Sequence, residues 1–247
     1  MYGLIFIVLL TWQALCWLGI LTQRVIPSPI EVCVGLRELV LVGLPPGYLL
    51  EGHLLASLHR VATGFFLAAL LGIPLGILMG WSNTLQSALR PIIEVIRPIP
   101  PLAWIPIAIL WFGIGLKSAA FIIFLGAFFP VLLNTISGVV LVNPVFVEAS
   151  LTLGLSRWGI LTKVLTPGAL PSIFTGMRVG LGIGWMTLVA AEFTGVKSGY
   201  GLGYMIMTAR DVQRPDLIVA GMATIGVVGY GMDAILSFVR SRSLRWL

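Results

Sequence analysis

Six long apolar stretches constrain the fold of this chain more than any other feature of its sequence. No Asp, Glu, Lys or Arg occurs in residues 1–23, 61–89, 98–116, 118–147, 179–191 and 217–232. A helix that crosses the hydrocarbon core needs about 20 mostly apolar residues. The longer runs meet this length directly, and the last two meet it once they extend past one flanking charge. We therefore predict six membrane spans, at residues 3–22, 60–81, 92–113, 118–141, 171–193 and 216–239.

The overall composition agrees with a membrane-embedded chain. Hydrophobic residues make up 58% of the sequence and charged residues 10%, whereas soluble domains carry about 25% charged residues. We predict an all-α integral membrane protein in two parts. Residues 1–59 form the first span and an interfacial helix, and residues 60–247 form a five-helix core. The first span is expected to be retained, because it lacks the basic start and the cleavage site of a signal peptide.

Several other classes of protein are disfavoured. The net charge of +6 is scattered over loops, so no basic patch for nucleic acid is predicted. Cys16 and Cys33 form no disulfide framework. His53 and His59 share no helical face and have no third ligand nearby, so they are expected to be interfacial polar residues rather than a metal site. No glycine is followed by lysine, so the phosphate-binding Walker pattern is absent.

Two further features of the sequence have clear local signals. Residues 30–42 alternate apolar and charged positions at helical spacing, which predicts a helix on the membrane surface, and the Gly43–Gly47 segment should end it. Spans two and five each carry glycines at four-residue intervals. This spacing allows close helix packing, although flexible points for a moving gate fit the same pattern. The glycines are Gly72, Gly76 and Gly80, and Gly176, Gly180 and Gly184.

The longest segment too polar for a membrane runs from Asn143 to Pro167. Asn143 is a good N-cap and Pro144 suits the first helical position. Gly154 can take the left-handed conformation that ends a helix, Ser156 can cap a second helix, and Pro167 should close it. We predict a helix, a sharp turn and a second helix, and name this segment the hairpin (residues 143–167). One face is apolar, at Leu151, Leu155, Trp158, Leu161 and Leu165, and the other carries Glu148, Ser150, Thr152 and Arg157.

The hairpin sequence Glu148-Ala149-Ser150, followed by Gly154, resembles the EAA loop of permeases from ATP-binding-cassette importers. In that family this cytoplasmic loop docks into a cleft on the ATPase subunit, and Ser150 stands where the family has Ala. The resemblance implies ATPase coupling by Glu148, Ala149, Ser150, Gly154, Ser156, Arg157 and Pro167. The alternative is an amphipathic helix pair that merely joins two spans.

The third predicted span contains Pro98, Pro100, Pro101 and Pro106 near its start. Irregular backbone at membrane depth is tolerated where it lines a cavity or is buried in protein, and discontinuous helices often carry the substrate path. The stretch Arg97–Gly115 is similar to that of importer permeases for taurine, alkanesulfonates, nitrate and bicarbonate. So are the stretches Pro167–Trp185 and Val189–Glu192. The resemblance is nearest to the taurine and sulfonate branch and implies a type I importer permease fold.

The same resemblance suggests candidates for the translocation path. Aromatic and polar residues within or near apolar spans are the natural choices: Trp104, Trp111, Asn134, Arg178, Trp185, Thr187 and Glu192. Membrane anchoring or pairing with a loop charge is the competing interpretation for Arg178, Glu192 and the tryptophans. After span five, Gly195, Gly199, Gly201 and Gly203 predict a flexible outer loop. Lys197, Arg210, Asp211, Arg214 and Asp216 are then candidate contacts for a docked partner, with a solvated loop as the alternative.

The implied assembly is a multi-pass permease of the cytoplasmic (inner) membrane. Its partners would be ABC ATPase subunits, an extracytoplasmic substrate-binding protein, a second permease copy and the lipid membrane. ATP and magnesium would bind the ATPase, with no cofactor and no catalysis on this chain. Lysine and arginine divide evenly between the two sides, so the orientation follows the resemblance. A secondary transporter should carry acids deep in its spans, and an intramembrane enzyme should show a nucleophile with a base or a metal site. The acid-free interiors of spans one to four argue against a secondary transporter, and neither a nucleophile with a base nor a set of metal ligands is found in the sequence.

Overall fold

The computed structural model describes residues 2–20, 26–194 and 200–244, which contain helices and no strand. The α-helices are α1 (Tyr2–Trp17), α2 (Pro29–Leu41), α3 (Leu50–Trp81), α4 (Asn83–Ile96), α5 (Ile105–Phe112), α6 (Leu116–Val140), α7 (Pro144–Thr152), α8 (Arg157–Ile160), α9 (Thr166–Thr194), α10 (Leu202–Asp211) and α11 (Pro215–Ser243). A 3₁₀ turn at Pro101–Trp104 precedes α5, and a π-helical turn at Leu161–Leu165 joins α8 to α9.

Among the described residues, four helical segments are long and apolar enough to cross a membrane: Leu50–Trp81, Leu116–Val140, Arg157–Phe193 and Pro215–Ser243. A fifth crossing is possible if α4 and the Pro101–Phe112 segment count as one span bent by 82°. The first predicted span corresponds to α1, a shorter apolar helix of 16 residues. The predicted all-α membrane architecture is confirmed, with four or five long crossings where the sequence suggested six.

The helices group into two compact units. The first comprises Met1–His59 and Glu192–Gly229, and the second comprises Arg60–Ala191 and Tyr230–Leu247. Helices α3, α9 and α11 each continue from one unit into the other. The sequence predicted two continuous parts, residues 1–59 and 60–247, whereas each compact unit combines two separate stretches of the chain. The division at residue 59 stays a prediction.

In the first unit, α2 begins with a capping box. The Ser28 N–H donates to Glu31 Oε2 at 2.7 Å, and the Glu31 N–H donates to Ser28 Oγ at 3.3 Å. Such reciprocal bonds satisfy donors that the helix leaves unpaired. The helix ends before Gly43, which has φ +81°. The predicted helix and its break are both confirmed.

Helix α6 lies at the centre of the second unit, between two rows of glycines. A Cβ at Gly76 of α3 would lie 2.6 Å from Thr135 Cβ, and one at Gly176 of α9 would lie 2.7 Å from Asn134 Cβ. Only glycine permits this approach, and close backbone approach is how helices associate in lipid. The glycine stripes of spans two and five are therefore packing seams, as their spacing predicted.

The third predicted span differs from a single helix over 92–113. Helix α4 already begins at Asn83 and ends at Ile96, and the chain bends before the 3₁₀ turn. Pro98, Pro100 and Pro101 cluster at this bend. Proline has no N–H and blocks the α conformation of the residue before it, so three prolines within four positions stop the helix. The predicted irregular backbone is confirmed, and it takes the form of an 82° bend between two helical segments.

Two expectations about segments flanking the spans are wrong. Helix α3 starts at Leu50, so His53 and His59 lie inside it and not before it, and His53 is fully buried. Residues 202–211 were expected to belong to a loop and form α10, which buries Leu202, Met205 and Ile206. The hydrophobic positions of α10 repeat too briefly to be distinguished from a loop by sequence. Gly195, Lys197 and Gly199 lie outside the described residues.

Candidate functional site

The first helix of the hairpin, α7, begins as its sequence predicts. The Asn143 side chain accepts a hydrogen bond from the Val145 N–H at 3.0 Å, and Pro144 occupies the first turn. An N-cap of this kind satisfies one of the free donors at a helix start. The helix start is therefore fixed by two adjacent residues.

The turn of the hairpin is a Schellman motif centred on Gly154, which has φ +77°. The Leu155 N–H donates to Ser150 O at 3.0 Å and the Gly154 N–H donates to Leu151 O at 2.9 Å. These two bonds satisfy carbonyls that the end of α7 would leave free. Ser156 then caps α8 by accepting from the Gly159 N–H at 3.1 Å. The predicted roles of Gly154 and Ser156 as helix-ending and helix-starting residues are confirmed.

Pro167 does not close the second helix, contrary to the prediction. The helical path continues from Arg157 to Phe193, and it widens into a π turn over Leu161–Leu165 where the Thr166 N–H bonds to Leu161 O. Local π geometry accommodates a proline because it shifts the bonds that the ring would clash with. The second arm of the hairpin is thus the start of a membrane helix.

The hairpin is anchored in the second unit by its second arm. Ile160, Leu161 and Leu165 are buried in one cluster with Val139, Ala169 and Ile173, and Val147 of α7 and Leu155 pack against it. The predicted apolar stripe therefore divides. Its later positions enter the core, while Leu151 and Trp158 remain 54% and 63% exposed. The hairpin cannot shift without disturbing the bundle to which this cluster belongs.

The exposed part of the hairpin combines apolar and charged side chains. Phe146 is 61% and Leu153 80% exposed. Of the residues expected to couple to an ATPase, Glu148, Ala149, Gly154, Ser156 and Arg157 are exposed. Glu148 and Arg157 both line one groove of about 780 Å³. Ser150 was expected on the exposed polar face and is buried, because its hydroxyl donates back to Phe146 O at 2.6 Å.

Two of the candidate path residues meet at a second location, which we name the membrane cavity. It has a volume of about 370 Å³ and lies within the second unit. Trp104 and Asn134 line it, together with Arg97, Ile99, Pro101, Leu125, Gly126, Phe129, Pro130, Leu133, Val179 and Ile183. The Asn134 amide donates to Pro130 O at 2.8 Å. The bend between α4 and α5 thus contributes one wall of a real cavity.

The other candidates are spread over the fold. Trp185 and Thr187 are 7% and 6% exposed, and the Thr187 hydroxyl donates to Ile183 O at 2.7 Å. Trp111 is 60% exposed and stacks edge-on against Phe121. None of these three residues lines the membrane cavity, and their role in the translocation path stays a prediction.

Arg178 and Asp233 form a bidentate ion pair between α9 and α11. Arg178 Nη2 lies 2.6 Å from Asp233 Oδ2, and the second contact joins Nε to Oδ1. A charge in a membrane helix is normally paired in this way. Arg178 is therefore held by a second helix and does not line the membrane cavity.

Glu192 belongs to a buried polar cluster in the first unit. Its carboxylate accepts from the Ser57 hydroxyl at 2.9 Å and from the Gly203 N–H at 2.8 Å. Ser57 Oγ also accepts from the Leu202 N–H at 2.9 Å. His53 Nδ1 accepts from the Gly201 N–H at 3.0 Å, and its Nε2 lies 3.1 Å from Leu44 O. This cluster fixes the start of α10 against α3.

The charges near the end of α10 pair with one another. Arg214 contacts Glu38 of α2 at 2.6 Å and Asp216 at 2.7 Å, and Arg210 pairs with Asp211 at 2.9 Å. The hydrogen bonds that Arg214 donates to Asp216 and Glu38 raise its pKa, so it stays cationic. The proposed role of these residues in docking a partner stays a prediction.

The comparisons with known proteins decide the family. The model of the binding-protein-dependent transport system inner membrane component matches residues 72–245. This chain belongs to that family. An ABC transporter permease protein of Methanocaldococcus jannaschii is 48% identical over 82% of this chain and 75% of its own length. The taurine transport system permease protein TauC of Escherichia coli is 39% identical over 99% of this chain and 88% of its own length. The aliphatic sulfonates transport permease SsuC of Bacillus subtilis is 38% identical over 97% of this chain and 84% of its own length.

A solved structure supports the fold of this permease. A chain of the MetNI methionine ABC transporter, in an inward-facing conformation, aligns with a TM-score of 0.64 over 81% of this chain and 97% of that one. Their sequences are 24% identical, so the likeness concerns the fold. The permease therefore has the type I importer fold and is a multi-pass protein of the inner membrane.

Three residues of this permease were missed by the sequence reasoning. Arg97 was counted only as a charge on the cytoplasmic side and was given no role in the path, yet it lines the membrane cavity. Its position directly before a run of prolines was the available signal. Ser57 binds Glu192, which lies 135 positions away, and Asp233 binds Arg178, which lies 55 positions away. No single sequence reveals such pairings.

Proposed function

We propose that this permease moves a small anion of the taurine and alkanesulfonate class into the cell, driven by separate ABC ATPase subunits. The observation that carries the proposal is the 39% identity with the taurine permease over 99% of this chain. Similarity over nearly the whole chain supports a substrate path and a coupling surface of the same kind. Nitrate or bicarbonate import by the same architecture is the alternative.

The proposed assembly contains two copies of this chain, two ATPase subunits and an extracytoplasmic substrate-binding protein. ATP and Mg²⁺ bind the ATPase subunits, and this chain carries no catalytic group. The exposed face of the hairpin, with Phe146, Glu148, Leu153 and Arg157, docks on the ATPase at the cytoplasmic side. Because Leu161 and Leu165 anchor its second arm in the bundle, a displacement of the hairpin is passed directly to α9.

The test is to purify the protein from its own host and to identify the proteins that copurify with it. The purified complex is then reconstituted into liposomes with the substrate-binding protein, and uptake of labelled taurine, butanesulfonate and nitrate is measured with and without ATP on the side of the ATPase subunits. We expect a nucleotide-binding subunit in the complex and ATP-dependent uptake of the sulfonates. Uptake of nitrate alone would favour the alternative substrate. Uptake driven by a proton gradient without ATP would contradict the proposal in favour of a secondary transporter.

A further inference from the structure

The membrane cavity has a distinctive charge distribution. Among its twelve lining residues, Arg97 is the only charged side chain, Asn134 is the only amide and no Asp or Glu is present. Its volume of about 370 Å³ lies at the small end of ligand pockets, which span about 300–1,000 Å³. A pocket with one cation and no anion is suited to a small negatively charged ligand.

Arg97 is placed to bind rather than to stabilise the fold. It caps the C-terminus of α4 at the bend that precedes the three prolines. Within residues 2–20, 26–194 and 200–244, its guanidinium takes part in none of the side-chain ion pairs, which connect other arginines. By contrast, Arg90 on the same helix is bound to Glu94 at 2.7 Å. A guanidinium with unused donors offers two parallel N–H groups to a sulfonate or carboxylate.

Asn134 supplies a second, oriented polar group. Its amide nitrogen donates one hydrogen to Pro130 O at 2.8 Å, which leaves the second hydrogen of the NH₂ group for another acceptor. Helix α9 also packs closely against this residue, because a Cβ on Gly176 would lie 2.7 Å from Asn134 Cβ. The glycine seam of α9 thus fixes the amide that faces the cavity.

The remaining lining suits an apolar tail. The cavity is also lined by Trp104 and by the apolar side chains Leu125, Phe129, Leu133, Val179 and Ile183. Trp104 is itself supported by Phe121, with ring centroids 6.5 Å apart. A ligand with an ammonium group finds no carboxylate here, and burying an unpaired charge is costly.

We propose that the membrane cavity is an anion-binding subsite of the transport path, in which Arg97 and Asn134 hold the sulfonate of a plain alkanesulfonate and the apolar wall holds its alkyl chain. The subsite favours an alkanesulfonate over taurine, whose ammonium group has no partner among the lining side chains. This inference rests on the proposed import of small sulfonates and names the residues that select among them.

Binding and import are measured separately, so that the two proposals can fail independently. The permease–ATPase complex is purified in detergent without the substrate-binding protein, and binding of labelled butanesulfonate is followed by equilibrium dialysis, with taurine and nitrate as competitors. Arg97→Gln and Asn134→Asp are expected to weaken binding about tenfold or more, because each removes or opposes a charge-assisted hydrogen bond. Arg97→Lys should keep part of the affinity.

Arg90→Gln is the matched control, because Arg90 is on the same helix and has a Glu94 partner. It should bind butanesulfonate as the unaltered complex does. Assembly on gel filtration and ATP hydrolysis establish that each variant is intact, and Asn134→Asp decides the test if neither Arg97 variant assembles. Unlabelled taurine should displace labelled butanesulfonate about tenfold less effectively than unlabelled butanesulfonate does. The reason is that the ammonium group of bound taurine would have no partner in the cavity.

Three results would overturn the subsite. These are binding by the unaltered complex too weak to detect although import is active, binding by Arg97→Gln equal to that of Arg90→Gln, or equal displacement by taurine and butanesulfonate. A complex that binds butanesulfonate but imports no sulfonate would instead contradict the proposed function and leave the subsite standing.

Discussion

Glu192 Oε1 lies 2.9 Å from Ser57 Oγ, and this bond ties helix α9 to helix α3 inside the first unit. The same hydroxyl accepts from the Leu202 N–H at 2.9 Å, so one serine serves both a carboxylate and the start of α10. Buried polar groups of this kind are costly when one partner is removed. The cluster therefore helps to set the position of α10, together with its buried apolar face.

Replacing Ser57 by alanine is expected to lower the free energy of unfolding by about 1–3 kcal/mol, since a buried carboxylate loses a donor and a buried N–H loses its acceptor. The measurement is thermal unfolding of the detergent-purified permease. Ser87→Ala is the control, because Ser87 is exposed on α4, and exposed changes usually stay within about 0.5 kcal/mol. Equal melting temperatures for the two variants would show that the cluster does not stabilise the fold.

A second prediction uses two glycines of α9. A Cβ at Gly180 would lie 2.9 Å from Ala127 O and 3.1 Å from Val131 Cγ2, whereas nothing lies within 4 Å of a Cβ at Gly182. Gly180→Ala should therefore destabilise the permease by about 1–3 kcal/mol through overpacking. Gly182→Ala should be neutral or stabilising by up to about 1 kcal/mol, because alanine loses less backbone freedom on folding.

The two variants differ only in what faces the added methyl group, so the sign of the difference is the test. Melting temperatures measured in the same detergent are compared with that of the unaltered protein. If Gly180→Ala is as stable as Gly182→Ala, the seam between α9 and α6 is looser than the structure describes.

Local signals in the sequence predicted the hairpin well, and longer-range features less well. Asn143, Gly154 and Ser156 act through hydrogen bonds to residues at most four or five positions away, so their roles are readable from the chain itself. Pro167 was misjudged because the π turn that accommodates it depends on how Leu161 and Leu165 pack in the bundle. The bend at the proline cluster was expected, but the cavity that it helps to form requires the opposing walls of α6 and α9.

The third prediction concerns the charge on the exposed face of the hairpin. Glu148→Lys is expected to weaken attachment of the ATPase subunits without unfolding the helices, because Glu148 is exposed and lines a groove with Arg157. Gel filtration of the purified complex measures the attachment. Lys117→Glu is a charge reversal at the other end of α6, where the residue is also exposed, and it should leave the complex intact. Loss of the ATPase from both variants or from neither would contradict a specific role for Glu148.

The fourth prediction tests whether the turn of the hairpin must be rigid for transport. Gly154 has φ +77°, and no atom lies within 4 Å of the position that a Cβ would take. Within this chain, a larger residue there therefore acts through the backbone conformation and not through steric crowding. A branched residue in this region costs at least about 1–2 kcal/mol, so Gly154→Val should distort the Schellman turn and uncouple ATP hydrolysis from uptake.

Gly154→Asn is the matched variant, because asparagine adopts the left-handed conformation more readily than other residues with a side chain. It should retain most of the coupling, measured as sulfonate molecules taken up per ATP hydrolysed in liposomes. The order expected is Gly154, then Asn, then Val, and it follows from backbone preference alone. Full coupling in Gly154→Val would mean that the hairpin transmits motion without a fixed turn. Equal losses in both variants would mean instead that the ATPase tolerates no side chain at this position.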